Sequence, residues 1–117
     1  MSKYLFNGTH YGKGRLVLAV VKQYVEDNSS TSFSGLEKIF PKSCQSASLK
    51  GKGVLGVFTT IENAKEIAQT RKRHFLRSEE LIKLEDDSII AVCTQWGIGN
   101  IDKFIEIARV LGYQISE

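Results

Sequence analysis

The densest chemical signal in the sequence is Arg71-Lys72-Arg73-His74-Phe75-Leu76-Arg77, four cations within seven residues with one aromatic among them. Such a run suits phosphate contacts, whose affinity comes from releasing condensed counterions, together with one ring for stacking or for the core. The competing reading is a solvated helix end, where cations complement the dipole. Gln95-Trp96-Gly97 with Asn100 is the second signal. A lone Trp entering a glycine joint either belongs to the core or lines a pocket or interface. Gln95 and Asn100 carry amides that can hydrogen-bond a base or a peptide. Lys50 and Lys52, in a Ser/Lys/Gly stretch, are further candidates for backbone phosphate contacts.

Other constellations are weaker. Gly51-Lys52-Gly53-Val54-Leu55-Gly56 spells G-x-G-x-x-G, but it follows a polar stretch and opens a strand. A dinucleotide site needs the reverse, a strand before and a helix after, and the chain is too short for a kinase. The histidines, His10 and His74, have no carboxylate or thiol at ligand spacing, so no metal or other cofactor is expected. Cys44 and Cys93 are too few and too far apart for a disulfide framework, and Cys93 lies in an apolar run. Glu79, Glu80, Glu85, Asp86 and Asp87 are read as solvated acids at a strand start and a turn, not as paired acid/base groups. Glu80-Leu81-Ile82-Lys83 only loosely matches the acid and E-x-K spacing of restriction-type nucleases. No catalytic residue is assigned.

The charge is unevenly spread. Residues 1–60 hold eight Lys/Arg against three Asp/Glu, and residues 61–117 hold eight against ten. The stretch from Lys38 to Arg77 holds nine against two, so a net charge of only +3 conceals a strongly basic region. A mild protein with one basic region can present that face to an anionic partner. With 117 residues and 42% hydrophobic content, the chain is expected to make one domain with a real core. The longest apolar run, Leu16 to Val21, is far below the roughly 20 residues needed to span a bilayer. No leader pattern opens the sequence, and a cytoplasmic location without membrane contact is expected.

Elements must position these groups. Residues 3–7 read as a strand ending in the Asn7-Gly8 turn signal. Arg15 to Glu26 has helical periodicity, with an apolar arc wide enough to be buried on most sides or to serve a partner; its valines also permit a strand. Ser34 and Thr59 read as N-caps of capping boxes with Glu37 and Glu62. Pro41 stops the first of these helices, and the second ends near Thr70. Residues 42–53 read as a loop and Val54 to Phe58 as a strand. Phe75 to Leu84, in two pieces, and Ile89 to Trp96 read as a hairpin around the acidic turn. Asn100 reads as the N-cap of a last helix striped by Ile101, Phe104, Ile105, Ala108 and Leu111, with Gly112 at C′. Residues 113–115 read as an edge strand. The sum is an α+β fold, a small mixed, mainly antiparallel sheet with three to four helices packed on it. The two early helices allow a winged-helix comparison, but the recognition helix would be Lys42 to Leu49, which has poor periodicity.

Three stretches carry a resemblance: Gly12 to Val21, Leu36 to Pro41, and Ile90 to Gly97 with Asn100-Ile101 and Phe104-Ile105. They look like a small bacterial domain of unassigned activity, similar to modules on mobile genetic elements or beside restriction-type proteins. The resemblance implies a DNA-mobility or defence setting and no catalytic residues. Together these readings put a non-catalytic nucleic-acid-binding accessory domain first. A protein-interaction or homodimeric module is second, motivated by the apolar Arg15–Glu26 helix and Trp96. A small enzyme, with Glu80, Lys83, His74 or Cys93 converging, is third.

Overall fold

The computed structural model describes residues 3–41, 56–96 and 98–116. Lys50, Lys52, Cys44, most of the glycine motif and the comparison's third helix therefore lie outside the described residues.

The chain opens with a hairpin, β1 (Tyr4–Phe6) and β2 (Thr9–Tyr11), paired antiparallel with Phe6 opposite Thr9. Asn7 and Gly8 both take positive φ, 50° and 79°, as a two-residue turn of this hand requires. β2 is mostly exposed and lacks apolar alternation, so only the turn residues announce it.

Helix α1 (Lys13–Asp27) follows, and the helical reading of its valines prevails over the strand. Leu16, Val17, Val20 and Val21 are wholly buried, and the arc is wide because β1, β2 and α4 (Ile98–Val110) all pack on it. Helix α2 (Phe33–Ile39) is capped by Ser32, whose hydroxyl accepts from the Gly35 amide at 3.2 Å. The helix starts at Phe33, so Ser34, the expected cap, is already inside it. The acidic turn explains the shift. Asp86 Oδ2 accepts from the Phe33 amide at 3.1 Å and the Glu85 amide donates to the Thr31 carbonyl at 3.0 Å, fixing the helix start. Asp86 is held below its ordinary pKa, chiefly by that Phe33 amide.

β3 (Phe58–Thr60) runs straight into α3 (Ile61–Ala68). Thr60 is the cap, accepting from the Asn63 amide, while the expected Thr59 accepts from the Asn63 side chain. β5 (Ile89–Val92) lies between β3 and β4 (Ile82–Lys83), antiparallel to both. The strand partnering β5 comes in two pieces, as expected. His74 bridges Cys93, a 3₁₀ turn at Ser78–Glu80 bulges out, and the chain rejoins β5 as β4.

Thus the architecture is α+β, with two small antiparallel sheets of two and three strands instead of one mixed sheet. α4 begins at Ile98, so Asn100 lies inside its first turn and is not the cap. The first turn makes few intrahelical bonds and tolerates Gly99 there. Gly112 at φ 101° closes α4, with Gly112 and Tyr113 amides returning to Arg109 and Ala108 carbonyls. Leu111, expected on the apolar stripe, is 36% exposed, because the helix unwinds at that turn. The expected edge strand is one bridge, Leu5 with Ser116. Trp96, Phe104, Phe40 and Tyr24 form a continuous chain of ring contacts at 5.3–5.6 Å through the core. No helix among the described residues is long and apolar enough to cross a membrane.

Candidate nucleic-acid interface

The antiparallel register at His74 and Cys93 brings the two sequence signals together. The Thr94 amide donates to the Arg73 carbonyl at 2.8 Å and the Phe75 amide to the Val92 carbonyl at 2.9 Å. These bonds place the basic segment directly beside Thr94-Gln95-Trp96. Arg73 Nη1 then donates to Gln95 Oε1 at 3.1 Å, and Gln95 Nε2 donates to Thr94 Oγ1 at 2.8 Å. The guanidinium of Arg73 is therefore aimed by an amide and keeps its full charge. Arg71, Lys72 and Arg77 are exposed. Among the described residues, Arg71 and Lys72 make no ion pair.

Alternation along the segment decides what faces inward. His74 is wholly buried, while Arg73 and Phe75 on either side are half-buried. Neither ring nitrogen of His74 has a hydrogen-bond partner. Burial lowers its pKa, since a charged imidazolium has no solvent there. His74 and Cys93 form a non-hydrogen-bonded pair, whose side chains stand close on one face. Trp96 is half-buried; its Nε1 donates to the Cys93 carbonyl at 2.9 Å and its ring leans on Phe104.

Sequence reasoning missed Arg15 and misjudged Glu80. Arg15 lies 4.6 Å above the Phe75 ring centre and 2.5 Å from Glu80 Oε2. Glu80, read as a solvated acid, is 4% exposed and its other oxygen accepts from the Arg77 amide at 3.1 Å. Burial alone would raise the pKa of Glu80. The Arg77 amide, the Arg15 guanidinium and the nearby Arg77 charge outweigh it, so the group is held below the ordinary carboxylate value. The residue is buried because the 3₁₀ turn folds its side chain back onto the base of the basic segment. The only available signal was the start of α1. Lys13 and Arg15 occupy a first turn with no acid, against the preference of the helix dipole. Gly14 lets that turn approach, since a Cβ there would lie 3.3 Å from the Phe75 ring and 3.5 Å from the Thr94 carbonyl.

The result is one corner where the α1 start, the 71–77 segment and Thr94–Trp96 meet. It carries Arg15 over the half-exposed Phe75 ring, with Arg71, Lys72, Arg73 and Arg77 along the segment that holds that ring. Asn100 belongs to the neighbouring helix turn, and Lys50 and Lys52 are outside the described residues. Of the residues named for an enzyme, Glu80 pairs with Arg15 and Lys83 with Asp87 at 3.5 Å, while His74 lies opposite Cys93 across the bridge. Among the described residues no three potential metal ligands cluster. Comparison of the chain with protein families, curated proteins and solved structures gives no match.

Proposed function

We propose that this chain is a non-catalytic nucleic-acid-binding accessory domain of a mobile-element or defence-related system, with the 71–77 corner as its phosphate-contacting face. The observation that carries the reading is the Arg73–Gln95 hydrogen bond, which joins the basic segment to the Gln95–Trp96 edge and orients a cation without neutralising it. Arg71 and Lys72 extend from the same segment into solvent. Arg15, half-exposed over Phe75, adds a planar group suited to phosphate or to stacking. The setting in mobility or defence rests on the sequence resemblance alone.

The test is fluorescence anisotropy with short single- and double-stranded DNA at about 50 and 200 mM salt. If four cations touch duplex phosphates, affinity falls roughly a hundredfold over that range. Replacing Arg71, Lys72 and Arg77 together by Ala should weaken binding on every sequence and reduce the salt slope by about 3, one per lost contact. Absence of binding at the lower salt refutes the reading. The interaction-module reading gains no specific support, because the wide apolar face of α1 is consumed by the chain's own core.

A further inference from the structure

The basic corner holds two arginines whose partners differ in charge. Arg15 is paired with a carboxylate, Glu80 Oε2, and its guanidinium carbon stands 4.6 Å from the centre of the Phe75 ring. Glu80 is 4% exposed and its other oxygen is held by the Arg77 amide, so this partner is fixed. Arg73 is paired with an amide instead. Its Nη1 donates to Gln95 Oε1, Gln95 Nε2 donates to Thr94 Oγ1, and Thr94 Oγ1 donates to the Arg73 carbonyl at 3.1 Å. The circuit of bonds closes on the residue where it began, so the Arg73 side chain is aimed and its charge is left whole.

This difference separates two kinds of contact. A guanidinium has two flat faces and a rim of N–H donors. In Arg15 one face lies toward Phe75 and the rim is engaged by Glu80, yet the side chain remains 52% exposed. What it offers a ligand is the second face, on a cation already compensated. Such a face favours stacking on a planar group over holding a phosphate, whose affinity needs uncompensated charge. Arg73 offers the reverse, a whole charge in a fixed direction. Alternation puts Arg73 and Phe75 on the same face of their segment, about 6.5 Å apart along it, so the two contacts are neighbours. We infer that the corner takes a single nucleic-acid strand, with one base stacked on the outer face of Arg15 and a neighbouring phosphate held by the Arg73 fork. Arg71 and Lys72, exposed on the same segment, continue the phosphate track. A paired base is covered by its neighbours in the duplex, so only an unpaired one reaches the platform. Gln95 becomes a positioning residue, since both ends of its amide are engaged within the corner. The inference rests on the nucleic-acid reading and narrows it to single strands.

The test is fluorescence anisotropy of the full chain, between about 50 and 200 mM salt, with a labelled oligo-dT, the same strand made abasic, and a duplex of equal length. The intact strand should bind tighter than the duplex and at least about fivefold tighter than the abasic strand, the contribution of one stacked base. Arg15→Lys keeps a charge beside Glu80 but removes the planar face, so it should bring the intact strand down to the abasic affinity. Gln95→Glu keeps the acceptor for Arg73 and compensates its charge, so it should reduce the salt slope by roughly 0.7, one phosphate contact on a single strand. The comparison of intact with abasic strand is made on the parent chain and holds even where a variant folds poorly. Salt-sensitive binding that treats the three probes alike, or favours the duplex, overturns the inference and leaves the basic corner standing. A preference for the intact strand that survives Arg15→Lys overturns the role of Arg15, and an unchanged slope in Gln95→Glu overturns that of Arg73. No binding of any probe at the lower salt removes the nucleic-acid reading and this inference with it.

Discussion

Two buried ionisable side chains, His74 and Glu80, respond to acid in different windows. Folding lowers the pKa of His74, so the unfolded chain binds its proton first. Its contribution is intact above the unfolded value, near 6.5, and is lost as pH falls below it. Glu80 is also held low when folded, so its contribution survives until pH falls through the carboxylate range near 4.5. Urea midpoints should therefore fall between pH 7.5 and 5.5, and His74→Leu should flatten that first decline while leaving the second. A variant that declines as steeply as the parent would clear His74 of the role. Arg15→Ala leaves the Glu80 carboxylate nearly buried and without its cation. With Arg15 half-exposed and screened, the expected loss is about 1–2 kcal/mol by urea denaturation. Glu80→Gln in the same background should recover part of it. Neither residue was legible as a pair, since 65 positions separate them and only the fold of the 3₁₀ turn brings them together.

α4 begins three residues before its expected first turn, and β3 begins at Phe58, where the expected strand was to end. The starts of α2 and α3 were legible to within one or two residues, and their errors have a common cause. Ser32 and Thr60 cap their helices, where Ser34 and Thr59 were expected. Both stretches offer adjacent hydroxyls, and tertiary hydrogen bonds, such as Asp86 to the Phe33 amide, choose between them. Ser32→Ala should cost about 1 kcal/mol, and Ser34→Ala only a few tenths, in thermal or urea unfolding. Equal costs would mean that the cap is shared. The stripe of α4 was read correctly at Ile101, Phe104, Ile105 and Ala108, where the apolar period is strong, and the β4–β5 hairpin was announced by its acidic turn. β2 was missed because Thr9 and His10 are exposed and Thr9-His10-Tyr11 carries no apolar alternation. At the site, the basic run and Gln95-Trp96 were both visible as separate signals. Their junction depends on the register of Arg73 against Thr94, across a strand interrupted by the 3₁₀ turn, which no local pattern records.

The two ends of the chain are tied into one core. Ile115 is buried, its carbonyl accepts from Arg109 Nη2 at 2.7 Å, and Ser116 exchanges both backbone bonds with Leu5. Tyr113 packs edge-on against Phe6 and donates to Asp27. Ending the chain after Gly112 should therefore lower stability by about 3 kcal/mol or more, the scale of one lost buried Ile with its hydrogen bonds. A truncated chain with the parental urea midpoint would show the tail to be dispensable.

The interrupted outer strand has one more effect. When copies of a protein meet edge to edge, continuous bare strand edges zip together into aggregates. Here one edge of the three-stranded sheet is a bridge at His74, an outward turn and the two residues of β4. The other is the three residues of β3, which pass at once into α3. Among the described residues neither offers a run long enough to template an incoming strand, so crowding of copies need not become fibril growth.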